Sequence, residues 1–180
     1  AALGDNLSAI LLRAAQNAAR AGQEISVDVN YWSELTTPGR AREALTPLLE
    51  SATVISCSKR DAATVFDLQG SSGDVAQALQ DRFGATNVLV SDGPREAAVC
   101  ADGTILQGCP PNTTIVDRVG AGDALVAGFL HGHLRGDPES GLRLGIAAAP
   151  LALTHHGDQV RTTLSELDSI TGSFSQDIVR

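Results

Sequence analysis

The run Asp117-Arg118-Val119-Gly120-Ala121-Gly122-Asp123, followed at once by Ala124-Leu125-Val126-Ala127-Gly128-Phe129-Leu130, constrains this chain more than any other segment. A β-rich stretch, Thr113 to Val116, leads into two glycines and an aspartate, and a strongly apolar helix leads out. Glycines there let the main chain pass close to a ligand, and the first-turn N–H groups of the helix lack intrahelical partners. Such a helix start attracts an anion, typically phosphate. Asp123 is the odd member, because a carboxylate beside a phosphate site is repelled by the ligand. Proton abstraction would account for it, and the pattern then reads as phosphoryl transfer to a hydroxyl.

The rest of the chain alternates. Helical periodicity places Leu7, Ile10, Leu11, Ala14, Ala15 and Ala18 on one face, with Asp5 or Asn6 as N-cap and Gly22 as stop. A short strand is expected over 25–28. A helix opened by Thr36-Thr37-Pro38 should run to about Glu50, and a second strand cover 53–56. A helix starting at Ser58-Lys59-Arg60-Asp61 and another over 72–83, ending at Gly84, precede a third strand over 87–91. The segments 97–100 and 104–107 read as a hairpin around Ala101-Asp102-Gly103, added antiparallel at the sheet edge. Helices to about Arg135, over 138–153 and over 164–170 complete the pattern. Strands alternating with helices predict one α/β domain over residues 1–180, a largely parallel sheet covered on both faces.

Composition narrows the partners. Thirteen basic against 21 acidic residues give a net charge of -8 over 180 residues, with no basic run, which argues against nucleic acid or anionic membranes. No apolar stretch is long enough to span a bilayer, and the start shows no signal-peptide pattern. Cys57, Cys100 and Cys109 lack metal or redox spacing and read as reduced thiols of a cytoplasmic protein. His131, His133, His155 and His156 give no zinc spacing, so no metal ligand set is assigned. The sequence contains no methionine. It is therefore expected to be a fragment, a processed chain or one part of a longer polypeptide.

Three glycine-rich phosphate schemes compete for residues 117–123. A Walker-type loop needs Gly-Lys-Ser/Thr, which does not occur here. A dinucleotide fingerprint needs Gly or Ala where Leu125 stands, and it normally opens the first βαβ unit. The third scheme fits: "DRVGAGDALVAGFL" closely resembles the C-terminal signature of the ribokinase-like (PfkB) carbohydrate kinases, in the form associated with 2-keto-3-deoxygluconate kinases. Segments resembling that family also occur in its order at "ALGDNL" (2–7), "DVNY" (28–31), "SKRDAATVF" (58–66), "SDGPREAAV" (91–99) and "AAAPLALTHHGDQV" (147–160).

The resemblance implies a three-layer αβα fold lacking the N-terminal portion and lid, with this chain as the nucleotide-binding, catalytic-base half. It implies ATP and Mg²⁺ as cofactors, with a monovalent cation as a further candidate, and a small sugar or sugar acid as substrate. Asp123 becomes the general base; Gly120, Ala121 and Gly122 supply backbone N–H groups to the γ-phosphate. Asp117 could position Mg²⁺ or a monovalent cation, or act as a turn carboxylate. Arg118 could pair with phosphate or stay solvated. Ser91 and Gly93 match a nucleotide-phosphate position, with Glu96 where the family usually has glycine. Ser58 and Asp61 match a segment that orders Mg²⁺ and phosphate, and equally make a simple helix cap. His156, with His155, matches the adenine-pocket loop or is an exposed loop pair.

Asp28, Asn30 and Trp32 are the substrate candidates, at a strand's carboxyl end where open α/β sheets bind ligands. The related kinases usually place an arginine two residues after the asparagine, where Trp32 stands here. Its loss removes a bidentate carboxylate partner. Trp32 could stack on a sugar or nucleoside ring, or pack against the absent N-terminal part. An open sheet edge predicts self-association or pairing with that part. The rival class is a non-catalytic protein that binds nucleotide or a partner, and another enzymatic rival is a ribokinase-like kinase of a different sugar or nucleoside.

Overall fold

Two uninterrupted apolar runs make the middle of the sheet. Val54, Ile55, Val88, Leu89 and Val90 are each at most 1% exposed, the pattern of strands covered on both faces. The computed structural model describes residues 4–174. Among them lie seven helices and five strands: α1 (Asp5–Arg20), β1 (Ser26–Asp28), α2 (Pro38–Leu49), β2 (Val54–Ser58), α3 (Lys59–Phe66), α4 (Ser72–Phe83), β3 (Asn87–Ser91), β4 (Ala97–Ala101), β5 (Thr104–Gly108), α5 (Ala121–His133), α6 (Pro138–Ala152) and α7 (Leu164–Phe174). The strands form one sheet in the order β1-β2-β3-β4-β5. Strands β1, β2 and β3 are parallel, with Asp28 opposite Ser56 and Ser58 opposite Ser91. By internal packing the chain divides into two compact units, one running to Ser91 with Cys100–Gly103, the other comprising Asp92–Val99 and the chain from Thr104 onward.

In the first unit, local chemistry sets the helix ends. Thr37 accepts from the Arg40 N–H, with Pro38 in the first turn of α2. Ser58 accepts from the Asp61 N–H at 3.0 Å to start α3. Ser71 and Asp74 form a reciprocal capping box on α4, and Gly84 ends it at φ +74°. Asp102 and Gly103, at φ +46° and +78°, give the tight turn that returns β5 beside β4.

In the second unit, α5 and α6 pack through glycines. A Cβ built on Gly128 would sit 2.5 Å from the Gly145 nitrogen, and one on Gly132 would sit 2.2 Å from the Gly141 nitrogen. Each helix thus lays a Gly-x-x-x-Gly stripe on the other's backbone. Ala124, Leu144, Ala147, Ala148, Ala152 and Leu167 form the buried cluster that joins α5, α6 and α7.

Two expectations need correction. Residues 113–116 are not a strand: Pro110 and Pro111 remove two donors ahead of them, and the Val116 and Asp117 N–H groups both turn to the Leu153 carbonyl, at 2.7 and 3.3 Å. Helix α1 starts one or two residues earlier than read, with Gly4 at its N-cap, so neither Asp5 nor Asn6 caps it. Its apolar face is mostly open as well, with Ala15 its one buried residue and Ile10 and Leu11 53% and 39% exposed, because among the described residues α1 packs chiefly on α2.

Candidate active site

Helix α5 begins on a residue that only glycine suits. Gly120 has φ +84°, and a Cβ there would lie 2.8 Å from the Asp158 Cα and 2.9 Å from its carbonyl oxygen. The residue therefore serves both the left-handed turn and a close approach of two main-chain segments. It offers no side-chain cap, and the first intrahelical bond runs from the Ala124 N–H to the Gly120 carbonyl at 2.9 Å. The N–H groups of Ala121, Gly122 and Asp123 thus stand at the helix end with no intrahelical acceptor. Asp123 is exposed in this first turn. Its carboxylate, the helix dipole and three main-chain donors are collected within one turn of backbone.

Asp117 braces the approach to that turn. One carboxylate oxygen accepts from the Val119 N–H at 3.2 Å, and the other from the Gly157 N–H at 3.1 Å. The Gly157 amide chiefly, then Val119, holds its carboxyl below the ordinary carboxylate range, and His156 adds a smaller electrostatic pull. These two bonds tie residues 117–120 to the 155–158 loop. Arg118 is exposed. His155 is engaged with the Gln159 carbonyl at 3.0 Å and lines a cavity of ≈ 390 Å³ with Thr154, Arg161, Ser165 and Glu166. His156 is exposed beside it in sequence and is not among the lining residues.

After β3, the turn Asp92–Glu96 closes through the Asp92 N–H and the Glu96 carbonyl at 2.8 Å. Asp92 is paired with the Arg95 guanidinium, whose Nε donates at 2.9 Å. Gly93 sits in this turn at φ +57°.

The first unit holds the substrate candidates. The parallel register brings Ser58 and Ser91 side by side at the carboxyl ends of β2 and β3, and sets Asp28 against Ser56, whose hydroxyl donates to it at 2.8 Å. Asn30 adopts φ +36° and accepts the Trp32 indole N–H at 2.9 Å. Asp28, Asn30 and Trp32 come together on one cavity of ≈ 310 Å³, lined also by Tyr31, Leu35 and Leu45. A second cavity of ≈ 520 Å³ shares Asn30, Tyr31 and Trp32 and adds Glu34, Arg60 and Thr64.

Sequence reasoning missed Tyr31 and Arg60 as lining residues, and offered Asp61 as a Mg²⁺- and phosphate-ordering residue or a cap partner without the contacts that bury it. Asp61 is 5% exposed and accepts the Tyr31 N–H at 3.4 Å and the Arg60 Nε–H at 3.2 Å. A buried carboxylate needs such partners, but nothing in the local sequence names a partner 30 residues away. Cys57 lies beneath this edge, and burial, then Asp61 and Asp28, push its thiol far up.

Residues 2–164 match the family described as pfkB family carbohydrate kinase. The 2-dehydro-3-deoxygalactonokinase of Haloferax volcanii is 34% identical over 156 residues, which is 86% of this chain and 49% of that protein. The crystal structure of 2-dehydro-3-deoxygluconokinase from Thermotoga maritima superposes with a TM-score of 0.88 at 24% identity, covering 95% of this chain and 56% of that one. Fructokinase with bound ATP from Xylella fastidiosa gives a TM-score of 0.80 at 23% identity, covering 97% and 59%. The chain thus spans about half the length of these proteins, and the three-layer α/β fold expected of it is theirs.

Proposed function

Since the chain belongs to the pfkB family of carbohydrate kinases, we propose that it carries the nucleotide-binding, catalytic-base part of an ATP-dependent kinase of a small sugar acid. The observation that carries this reading is the start of α5, where Asp123 stands in the first turn among main-chain donors, behind a glycine that no other residue can replace. Asp123 takes the proton of the attacking hydroxyl. The new phosphorus–oxygen bond forms as the bond to the ADP leaving group breaks, and the N–H groups of Gly120, Ala121 and Gly122 stabilise the charge on the transferring group. Asp117 keeps the turn in shape. Ser58, Ser91, Gly93, Asp117, Arg118 and His156 are the nucleotide-side candidates, and Asp28, Asn30 and Trp32 the sugar-side ones.

Among the described residues no group of three or more His, Cys, Asp or Glu could hold a metal ion. Mg²⁺ is commonly held through substrate phosphates and water with one or two carboxylates, and would neutralise phosphate charge when bound. Sugar-acid specificity is supported by the haloarchaeal relative, which acts on a 2-dehydro-3-deoxy sugar acid by its name.

The test is a coupled assay of ADP release, with calorimetry of ATP·Mg²⁺ binding alongside. Wild-type protein should release ADP only when sugar acid is present. Asp123→Ala should lower kcat by about 10²–10⁴-fold, the usual worth of a general base, and keep nucleotide binding. Nucleotide binding without sugar-dependent ADP release in the wild type would instead identify a non-catalytic binding protein.

A further inference from the structure

The ≈ 520 Å³ cavity has walls of unequal chemistry. Asn30 to Glu34 form one wall, and Arg60 and Thr64 of α3 form the other. Arg60 is the one cationic residue on it. Its side chain is 82% exposed, yet the guanidinium is anchored at its base, because Nε donates to the Asp61 carboxylate, itself only 6% exposed. A guanidinium carries five N–H donors in a planar fork. With Nε committed inward, the outer Nη1/Nη2 edge is left, and that edge matches the two oxygens of a carboxylate.

Trp32 supplies the second element. Its indole N–H is held by Asn30, which fixes the ring's orientation, while the residue stays 58% exposed. A fixed, exposed indole beside an anchored guanidinium suits a small polyol whose C–H face stacks on the ring and whose acid end meets the cation. Glu34 lines the same cavity. Its charge opposes a bound acid, so it weakens the site without defining it.

We infer that Arg60 is the residue that selects a carboxylate-bearing sugar, by pairing its outer guanidinium edge with the acid while Trp32 stacks on the carbon chain. This deepens the kinase reading and rests on it for the substrate class. The site, however, is tested by binding alone. Trp32 is the chain's one tryptophan, so its fluorescence reports occupancy of the cavity with no turnover.

Titration of the protein with 2-dehydro-3-deoxygluconate, without nucleotide, should give a saturable change in Trp32 emission, and fructose should bind at least about tenfold more weakly. Arg60→Met should weaken the acid by about 10–100-fold, the range of a hydrogen-bonded charge pair, and leave fructose unchanged. Arg60→Lys should recover part of the loss, and Glu34→Gln should tighten the acid several-fold. The inference is overturned if wild-type protein gives no saturable response to the acid. It is also overturned if Arg60→Met binds the acid as wild type does, or loses acid and fructose equally. Both residues are on the surface, and Glu34→Gln tests the electrostatics independently of Arg60→Met. Acid binding that depends on Arg60, without ADP release, would sink the kinase reading and leave this one standing. ADP release that is indifferent to Arg60 would do the reverse.

Discussion

Adding one methyl group at Gly132 should damage the fold more than most surface changes in this chain. The Cβ of Gly132→Ala would lie 2.2 Å from the Gly141 nitrogen, 2.3 Å from its Cα and 2.6 Å from the Asp137 carbonyl oxygen, whereas ordinary contacts fall at 3.4–4 Å. All three obstacles are backbone atoms, which cannot swing aside as a side chain can. Helices α5 and α6 would have to part by about 1 Å, and a gap of that size forfeits a quarter to a half of each affected dispersion contact. Phe129 and Leu142, both fully buried, and Leu125, 6% exposed, are in the elements that would loosen. Overpacking of this kind costs about 1–3 kcal/mol and occasionally more. Contacts this short against backbone atoms belong at the upper end of that range, and the better helix propensity of alanine returns about 1 kcal/mol at most, so the net loss should be about 2 kcal/mol. For a chain of this size that lowers Tm by about 4–8 °C.

Gly39→Ala in α2 is the control, since a Cβ there meets nothing within 4 Å, and it should leave Tm unchanged or raise it slightly. Thermal and urea unfolding followed by far-ultraviolet circular dichroism measure both. Gly128→Ala, whose Cβ would be 2.5 Å from the Gly145 nitrogen, should behave as Gly132→Ala does. The double variant should cost less than the two losses together, because helices already parted by one methyl accept the second more easily. If Gly132→Ala were as stable as wild type while Gly39→Ala raised Tm, the stripe would not be holding the helices and the packing argument would fail.

Two further tests follow from local electrostatics and burial. The Asp117 carboxyl is held below its ordinary value of 3.8 by the Gly157 and Val119 N–H groups. A carboxyl depressed in the folded state contributes stability above that ordinary value, and the contribution disappears as pH falls through the lower, folded value. The difference in urea midpoint between wild type and Asp117→Asn should therefore be present at pH 7 and shrink steadily below pH of about 4; a difference unchanged at pH 2.5 would remove Asp117 from the acid dependence. Separately, of the three cysteines only Cys109 is exposed. A thiol reagent at pH 8 should label Cys109 quickly in the native protein and reach Cys57 and Cys100 only on unfolding, and burial that raises both buried thiols reinforces the contrast. Rapid reaction of all three would show that β2 and β4 open readily.

What could be read from the residues divides along one physical line. Features whose partners lie within a few residues were legible: the Thr37-Pro38 and Ser58 caps, the Gly84 stop, the Asp102-Gly103 turn, and the apolar runs of β2 and β3. Residues 113–116 misled because Thr-Thr-Ile-Val has strand propensity, and propensity on a short segment yields to where the N–H groups find acceptors; here that is Leu153, almost 40 residues on. Asp61 and Arg60 were seen as a helix start because that contact is three residues long, and the Tyr31 contact that buries Asp61 is 30 residues long.

Helix α5 shows the same division most sharply, and it bears directly on the site. Its sequence, Ala-Gly-Asp-Ala-Leu-Val-Ala-Gly-Phe-Leu-His-Gly-His, is apolar on nearly every side, so hydrophobic periodicity assigns it no single inward face. Read locally, Gly128 and Gly132 only weaken the helix. Against Gly141 and Gly145 they become the surface that sets its rotation and its distance from α6. Asp123 lies on that same rigid element, about one and a half turns before the stripe begins at Gly128, so the glycines fix the rotation at which its carboxylate is presented. The motif at residues 117–123 and the glycines at 128 and 132 are therefore one device. The first supplies an acid and a set of main-chain donors, and the second holds the helix that carries them. A sequence reading that values glycines only as turns or as helix breakers recognises the first half and passes over the second.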